Sequence, residues 1–132
     1  MLNGRCFCGA VEYVVEDAFR YAAYCHCSKC RRHTGSAFSA FAGIEIDKFA
    51  VRAGASDLRK LSESPSGHDG FCSRCLSPLY SIVRERKFVH IRLGSLIDVP
   101  GHKPDHHIHV ASKAPWHEIT DDFPQYAELP PE

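Results

Sequence analysis

Residues 25–30 read Cys25-His26-Cys27-Ser28-Lys29-Cys30, three thiols within six positions of a chain that holds seven cysteines in all. Such crowding allows two chemical readings, a disulfide scaffold or a metal-binding set of thiolates. The chain opens Met1-Leu2-Asn3-Gly4-Arg5 with no apolar leader, and its cysteine count is odd. Both features fit poorly with the oxidising compartments in which disulfides persist. Thiolates for metal are the better fit.

Outward from this cluster, the other four cysteines fall into Cys6-x-Cys8 and Cys72-x-x-Cys75. A structural zinc takes four ligands and is closed, and two thiolates at C-x-x-C spacing on a turn can face one ion. Cys72 and Cys75 supply half of such a shell. Cys6 and Cys8, followed by Gly9 for a tight turn, are the other pair, and together the four make a site that ties residue 6 to residue 75. Cys25, Cys27 and Cys30 remain. Three protein ligands plus one exchangeable position is the pattern of a catalytic zinc. Three thiolates closed by an imidazole is an equally standard shell, and the chain has nine histidines, with His26 and His33 nearest in sequence. Spacing alone leaves both arrangements open.

Sixteen basic and sixteen acidic side chains cancel, so no whole-molecule field draws this chain to nucleic acid or anionic lipid. No run approaches the roughly 18 apolar residues of a membrane span. The expectation is a cytosolic protein of one domain, residues 1–132, with no nucleic-acid or membrane partner. Its segments read as strands and turns. Residues 10–16 (AVEYVVE) and 19–24 (FRYAAY) form an expected early strand pair, followed by SAFSAFAG, KFAVRAG, LRKLSES, PLYSIVRE, KFVHIRLG and HHIHVASK. SKCRRHTG reads as a single helical turn, and residues 115–132 as an irregular tail. The fold class is mainly β.

The stretches GRCFCGAVEY, YCHCSKCRRHTGSAFSAF, GFCSRCLSPLY, RLGSLID and HIHVASKAPWHEITDDFPQY together resemble the glutathione-dependent formaldehyde-activating enzyme (GFA) family, also called the centromere protein V/GFA domain. The resemblance implies a β-tent fold of antiparallel sheets organised around zinc. It also implies two Zn2+ per chain, a structural one on Cys6, Cys8, Cys72 and Cys75 and a catalytic one on Cys25, Cys27 and Cys30. The activity it implies joins glutathione and formaldehyde to S-hydroxymethylglutathione, formally a carbon-sulfur lyase in reverse. The partners are then a small thiol such as glutathione and a small aldehyde.

A three-thiolate zinc suits that chemistry, because three negative charges weaken its acidity towards water while its softness favours a fourth sulfur. Lys29, Arg31 and Arg32 beside the loop are candidates to meet glutathione's carboxylates, or form a solvated basic turn. His26 and His33 are candidates to shuttle a proton or to order the sulfurs by hydrogen bonding, or are ordinary surface or packing histidines. Strand alternation puts His107 and His109 on one face and His106 on the other. Trp116 reads first as a packing anchor. The rival from another class is a non-catalytic, zinc-stabilised interaction module, and a closed second site would favour it.

Overall fold

The computed structural model describes residues 1–131. The strands are β1 (Leu2–Arg5), β2 (Glu12–Val15), β3 (Tyr21–Cys25), β4 (Ser39–Glu45), β5 (Phe49–Ala53), β6 (Leu58–Ser64), β7 (Gly67–Cys72), β8 (Pro78–Val83), β9 (Phe88–Arg92) and β10 (His107–Ile108). One α-helix, α1 (Ser28–Thr34), interrupts them after β3. The mainly β expectation holds. β1, β2 and β5 form a three-stranded antiparallel sheet with β2 central. The other seven lie in the order β10-β3-β4-β9-β8-β7-β6, antiparallel throughout except for the short parallel pairing of β10 with β3.

The two early strands, expected as a pair, lie in different sheets. The backbone between them explains it, since Glu16 N–H donates to the Lys48 carbonyl beside the first sheet and Arg20 N–H to Gly43 O in the second. This link carries the chain across the fold rather than round a hairpin. The sequence reading missed β1 and β7 because LNGR and GHDGFC carry the glycines and polar residues that strand propensity discounts.

Those glycines have a use. Gly4 stands opposite Tyr13, Gly70 opposite Tyr80 and, in β4, Gly43 opposite Tyr21. A Cβ at Gly4 would lie 2.1 Å from Tyr13 Cζ, and one at Gly70 or Gly43 would lie 2.3 Å from the facing tyrosine Cζ. Each ring therefore covers a neighbouring strand position that has no side chain of its own.

The sheets close over one core. Leu2, Tyr13 and Val15 from the smaller sheet meet Ala22, Ala42, Ile44, Tyr80, Ile82, Val89 and Ile91 from the larger, and Cys6 and Cys72 are buried in the same cluster. Strand register gives the larger sheet a second, more polar face. Cys25 pairs with Ser39, Phe41 with Arg92, His90 with Ser81, and Ser81 with Asp69, so these residues share one side.

That side carries α1. The expected single turn extends to seven residues because both ends are capped: Cys27 Sγ accepts from Cys30 N–H, and Gly35, at φ 62°, donates its N–H to Arg31 O. Residues 113–131 contain no strand or helix among the described residues, yet they are strapped along β10. His107 N–H donates to Pro124 O, Tyr126 N–H to His107 O, and Val110 N–H to Tyr126 O, at 2.9–3.0 Å. The expected alternation through His109 fails at this point. β10 ends at Ile108 and His109 turns into a left-handed conformation at φ 55°, so it does not share a strand face with the buried His107. Trp116, expected as a packing anchor, is 72% exposed. Among the described residues no helix is long and apolar enough to cross a membrane.

The Gly4–Tyr13 contact generates a stability prediction. Tyr13 is fully buried and its hydroxyl is held by Ser95 at 2.6 Å, so the ring has little room to yield. Gly4→Ala should cost about 1–3 kcal/mol by overpacking and lower the thermal midpoint by several degrees. An unchanged midpoint would show that the ring moves freely.

Candidate functional site

Four of the seven thiols meet at the junction of the two sheets. Cys6 and Cys8 lie on the loop that joins β1 to β2, while Cys72 ends β7 and Cys75 lies on the loop that leads from it to β8. Their sulfurs all fall within 4.8 Å of one another. The loops fold this way because each closes on its own backbone. Gly9, at φ 81°, donates its N–H to Cys6 O, and Leu76 N–H donates to Cys72 O. Ser77 then joins them, its Oγ accepting from Phe7 N–H at 3.0 Å.

The donor chemistry fits a metal ion. Arg74 N–H points at Cys72 Sγ and Val11 N–H at Cys6 Sγ, both at 3.3 Å, and the second contact favours Cys6 as thiolate. Neighbouring sulfurs at 3.7–3.8 Å are far too distant for disulfides, and all seven cysteines are free. Without a cation the four cannot all ionise. Burial pushes Cys75 up, but hydrogen bonds from Ser77 and the Cys8 amide outweigh it and bring the thiol to about 5. Cys8 moves the other way, to about 11, because burial and the neighbouring thiols overcome the pull of the Ala10 amide. A dication would remove this conflict.

The second set is the opening motif. β3 delivers Cys25, Cys27 caps α1, and Cys30 sits inside the helix with its N–H 3.2 Å from Cys27 Sγ. Their three sulfurs also lie within 4.8 Å of one another. No histidine or carboxylate of the described residues joins them within that distance. The hydrogen bond between Cys25 and Cys30 holds the Cys25 thiol below its ordinary range and, with burial, drives Cys30 well above it. Arg92 pulls Cys30 back down, which places a positive charge close to this set.

His26 does not group with the three sulfurs. It is fully buried, and its Nε2 lies 2.8 Å from His107 Nδ1. His107 Nε2–H donates in turn to both Asp121 carboxylate oxygens at 3.0 Å. The carboxylate fixes the proton pattern, since His107 with its proton on Nε2 offers Nδ1 as an acceptor for His26 Nε2–H. Burial, the largest effect, lowers His26 to about 4, so the ring is neutral at pH 7 with Nδ1 bare. That Nδ1 is buried and has no hydrogen-bond partner. Phe38 and His117 pack against the same ring.

The basic residues divide differently from expectation. Lys29 Nζ and His33 Nε2 each lie 3.9 Å from Asp69 Oδ2, Arg32 is exposed, and Arg31 has a buried Nε without a partner. The sequence reading gave no role to Ser39, Asp69, Ser81 or Arg92, which share the thiol-bearing face. Ser39 is 2% exposed with its hydroxyl unpartnered, directly across the strand pair from Cys25. A polar residue alternating with buried Val89 and Ile91 was the signal for Arg92. Asp69 sits between glycines in a strand that propensity does not recognise.

Comparison with known proteins agrees with these features. A family model described as glutathione-dependent formaldehyde-activating enzyme matches residues 1–112. A Halomonas elongata protein, provisionally named for the same activity, is 30% identical across 90% of this chain and 81% of its own length. A crystal structure of a Rhodobacter sphaeroides protein is 29% identical and superposes with a TM-score of 0.60, over 77% of this chain and 97% of that one.

The two sulfur sets should respond differently to mutation. Cys75→Ser removes a donor from the junction of the sheets and should lower the thermal midpoint by at least about 10 °C, or prevent folding, because metal-binding energy there is folding energy. Cys30→Ser should keep the circular dichroism spectrum of the parent and carry one metal ion fewer per chain. Equal unfolding by both variants would make the second set structural.

Proposed function

Because the chain belongs to the glutathione-dependent formaldehyde-activating enzyme family, we propose that it is a zinc-dependent enzyme of the carbon-sulfur lyase type, residues 1–132 acting as one domain. It would add a glutathione-like thiol to a small aldehyde such as formaldehyde, or release it. The observation that carries this reading is the three-sulfur set of Cys25, Cys27 and Cys30, in which no further ligand atom of the described residues lies within 4.8 Å of all three sulfurs. Cys6, Cys8, Cys72 and Cys75 would hold the structural zinc, and the three-sulfur set the catalytic one.

When bound to three thiolates, zinc supplies a soft acceptor that keeps a substrate thiol deprotonated near neutral pH, where a free thiol is mostly protonated. In the addition, a carbon-sulfur bond forms, the carbonyl π bond breaks, and the proton lost by sulfur ends on the new hydroxyl oxygen. The chain's own groups set the stage for this. Ser39 offers a hydroxyl beside Cys25, and the Asp121–His107–His26 chain fixes how the ring between Cys25 and Cys27 is turned. Phe38 and His117, packed on that ring, limit the access of water to the loop.

Cobalt substitution tests the reading. With cobalt in the labile site, glutathione at millimolar concentration should strengthen the sulfur-to-metal charge-transfer absorption, because a shell of three sulfurs gains a fourth. The four-sulfur site should stay silent. A spectrum unchanged in fully loaded protein would favour the rival reading, a zinc-stabilised interaction module, and would end the thiol-activating one.

A further inference from the structure

We propose that the guanidinium of Arg92, in a cleft beside the three-sulfur set, is a carboxylate seat that selects anionic thiols as substrates. The inference rests on the thiol reading above only for the sulfur end of the ligand. The cleft has a volume of about 260 Å3, with Leu61, Phe71 and Tyr80 among its walls and His33, Asp69 and Arg92 as its polar groups. No cysteine lines the cleft, but His33, which does, stands about one turn after Cys30 on α1, so the three-sulfur set lies on the His33 side of it. Asp69 and Arg92, which line it, share a sheet face with Ser81, Ser39 and Cys25.

Among the described residues, Arg92 is within ion-pair distance of no carboxylate. Asp69 is on the same face but is already engaged. Ser81 donates to its Oδ1 at 2.6 Å, and Lys29 and His33 face its Oδ2. Arg92 touches this network only through Nη2, which donates to Ser81 Oγ at 3.0 Å. The contact holds the guanidinium in place without cancelling its charge. Arg92 Nε is buried and has no partner. A buried donor left unpaired costs about 1–3 kcal/mol, and a charged donor recovers most when it meets an anion. A planar guanidinium fixed at one corner matches a carboxylate, which can take two of its N–H groups at once. The remaining walls are apolar, so the body of the ligand needs no further charge there.

Calorimetric titration of the metal-loaded protein tests this with three ligands: glutathione, its diethyl ester, which keeps the thiol but masks both carboxylates, and S-methylglutathione, which keeps the carboxylates but has no free thiol. Arg92→Met should weaken glutathione by about 10- to 100-fold, weaken S-methylglutathione by a similar factor, and leave the diester within about twofold of the parent protein. Arg92→Lys should fall between parent and Met variant for the two acids, and an unchanged circular dichroism spectrum and metal content show that both variants are folded. Equal loss for acids and ester, no loss for any, or no binding of either acid to the parent protein would overturn the proposal. Failure of the thiol reading looks different: S-methylglutathione would then bind the parent as tightly as glutathione and still lose affinity in Arg92→Met.

Discussion

The four sulfurs of Cys6, Cys8, Cys72 and Cys75 meet where the smaller sheet joins the larger, close enough together to hold a metal ion that would tie one sheet to the other. One pair comes from the β1–β2 loop and the other from the end of β7 and the loop after it, and Cys6 and Cys72 lie inside the shared core. A chain of 132 residues can bury a core, but a two-sheet arrangement of short strands still gains from a cross-link between distant segments. Glycines facing tyrosines let the strands pack tightly at the same time. With the core on one side of the larger sheet, its other side is free to carry polar groups.

The second sulfur set uses that freedom. β3 ends at Cys25, and two capped turns of helix bring Cys27 and Cys30 back over the strand end. The tail then returns along β10 and places Asp121 against His107, which reaches His26 within the cysteine loop. Residues far apart in sequence thus control one loop. Asp121 and His107 act on the loop through hydrogen bonds, whereas Ser39 and Arg92 share the sheet face of Cys25 on neighbouring strands.

Much of this was legible in the sequence, and the reason is chemical. Cysteine pairs at short spacing announce metal-binding turns whatever the intervening fold, so the grouping into four and three sulfurs could be drawn from spacing and agrees with how the sulfurs cluster. Strands such as PLYSIV and FVHIR announced themselves by β-branched and aromatic residues. Pairing was less legible. Residues 12–15 and 21–25 look like a hairpin, but backbone bonds on either side of the link send them to separate sheets. Asp69 and Arg92 were hidden for a related reason, since their place on one face, linked through Ser81, depends on register across β7, β8 and β9, which no local pattern encodes. The histidine run misled because two residues of strand are too short for alternation to govern.

The central claim is that Cys25, Cys27 and Cys30 hold a metal ion whose remaining position accepts a substrate sulfur. A crystal structure of the metal-loaded protein soaked with glutathione, with anomalous data at the zinc edge, tests it most directly. The account predicts a zinc peak between the three cysteine sulfurs and a glutathione sulfur about 2.3 Å from it. A zinc closed by a histidine, or glutathione bound with its sulfur away from the metal, would contradict the account.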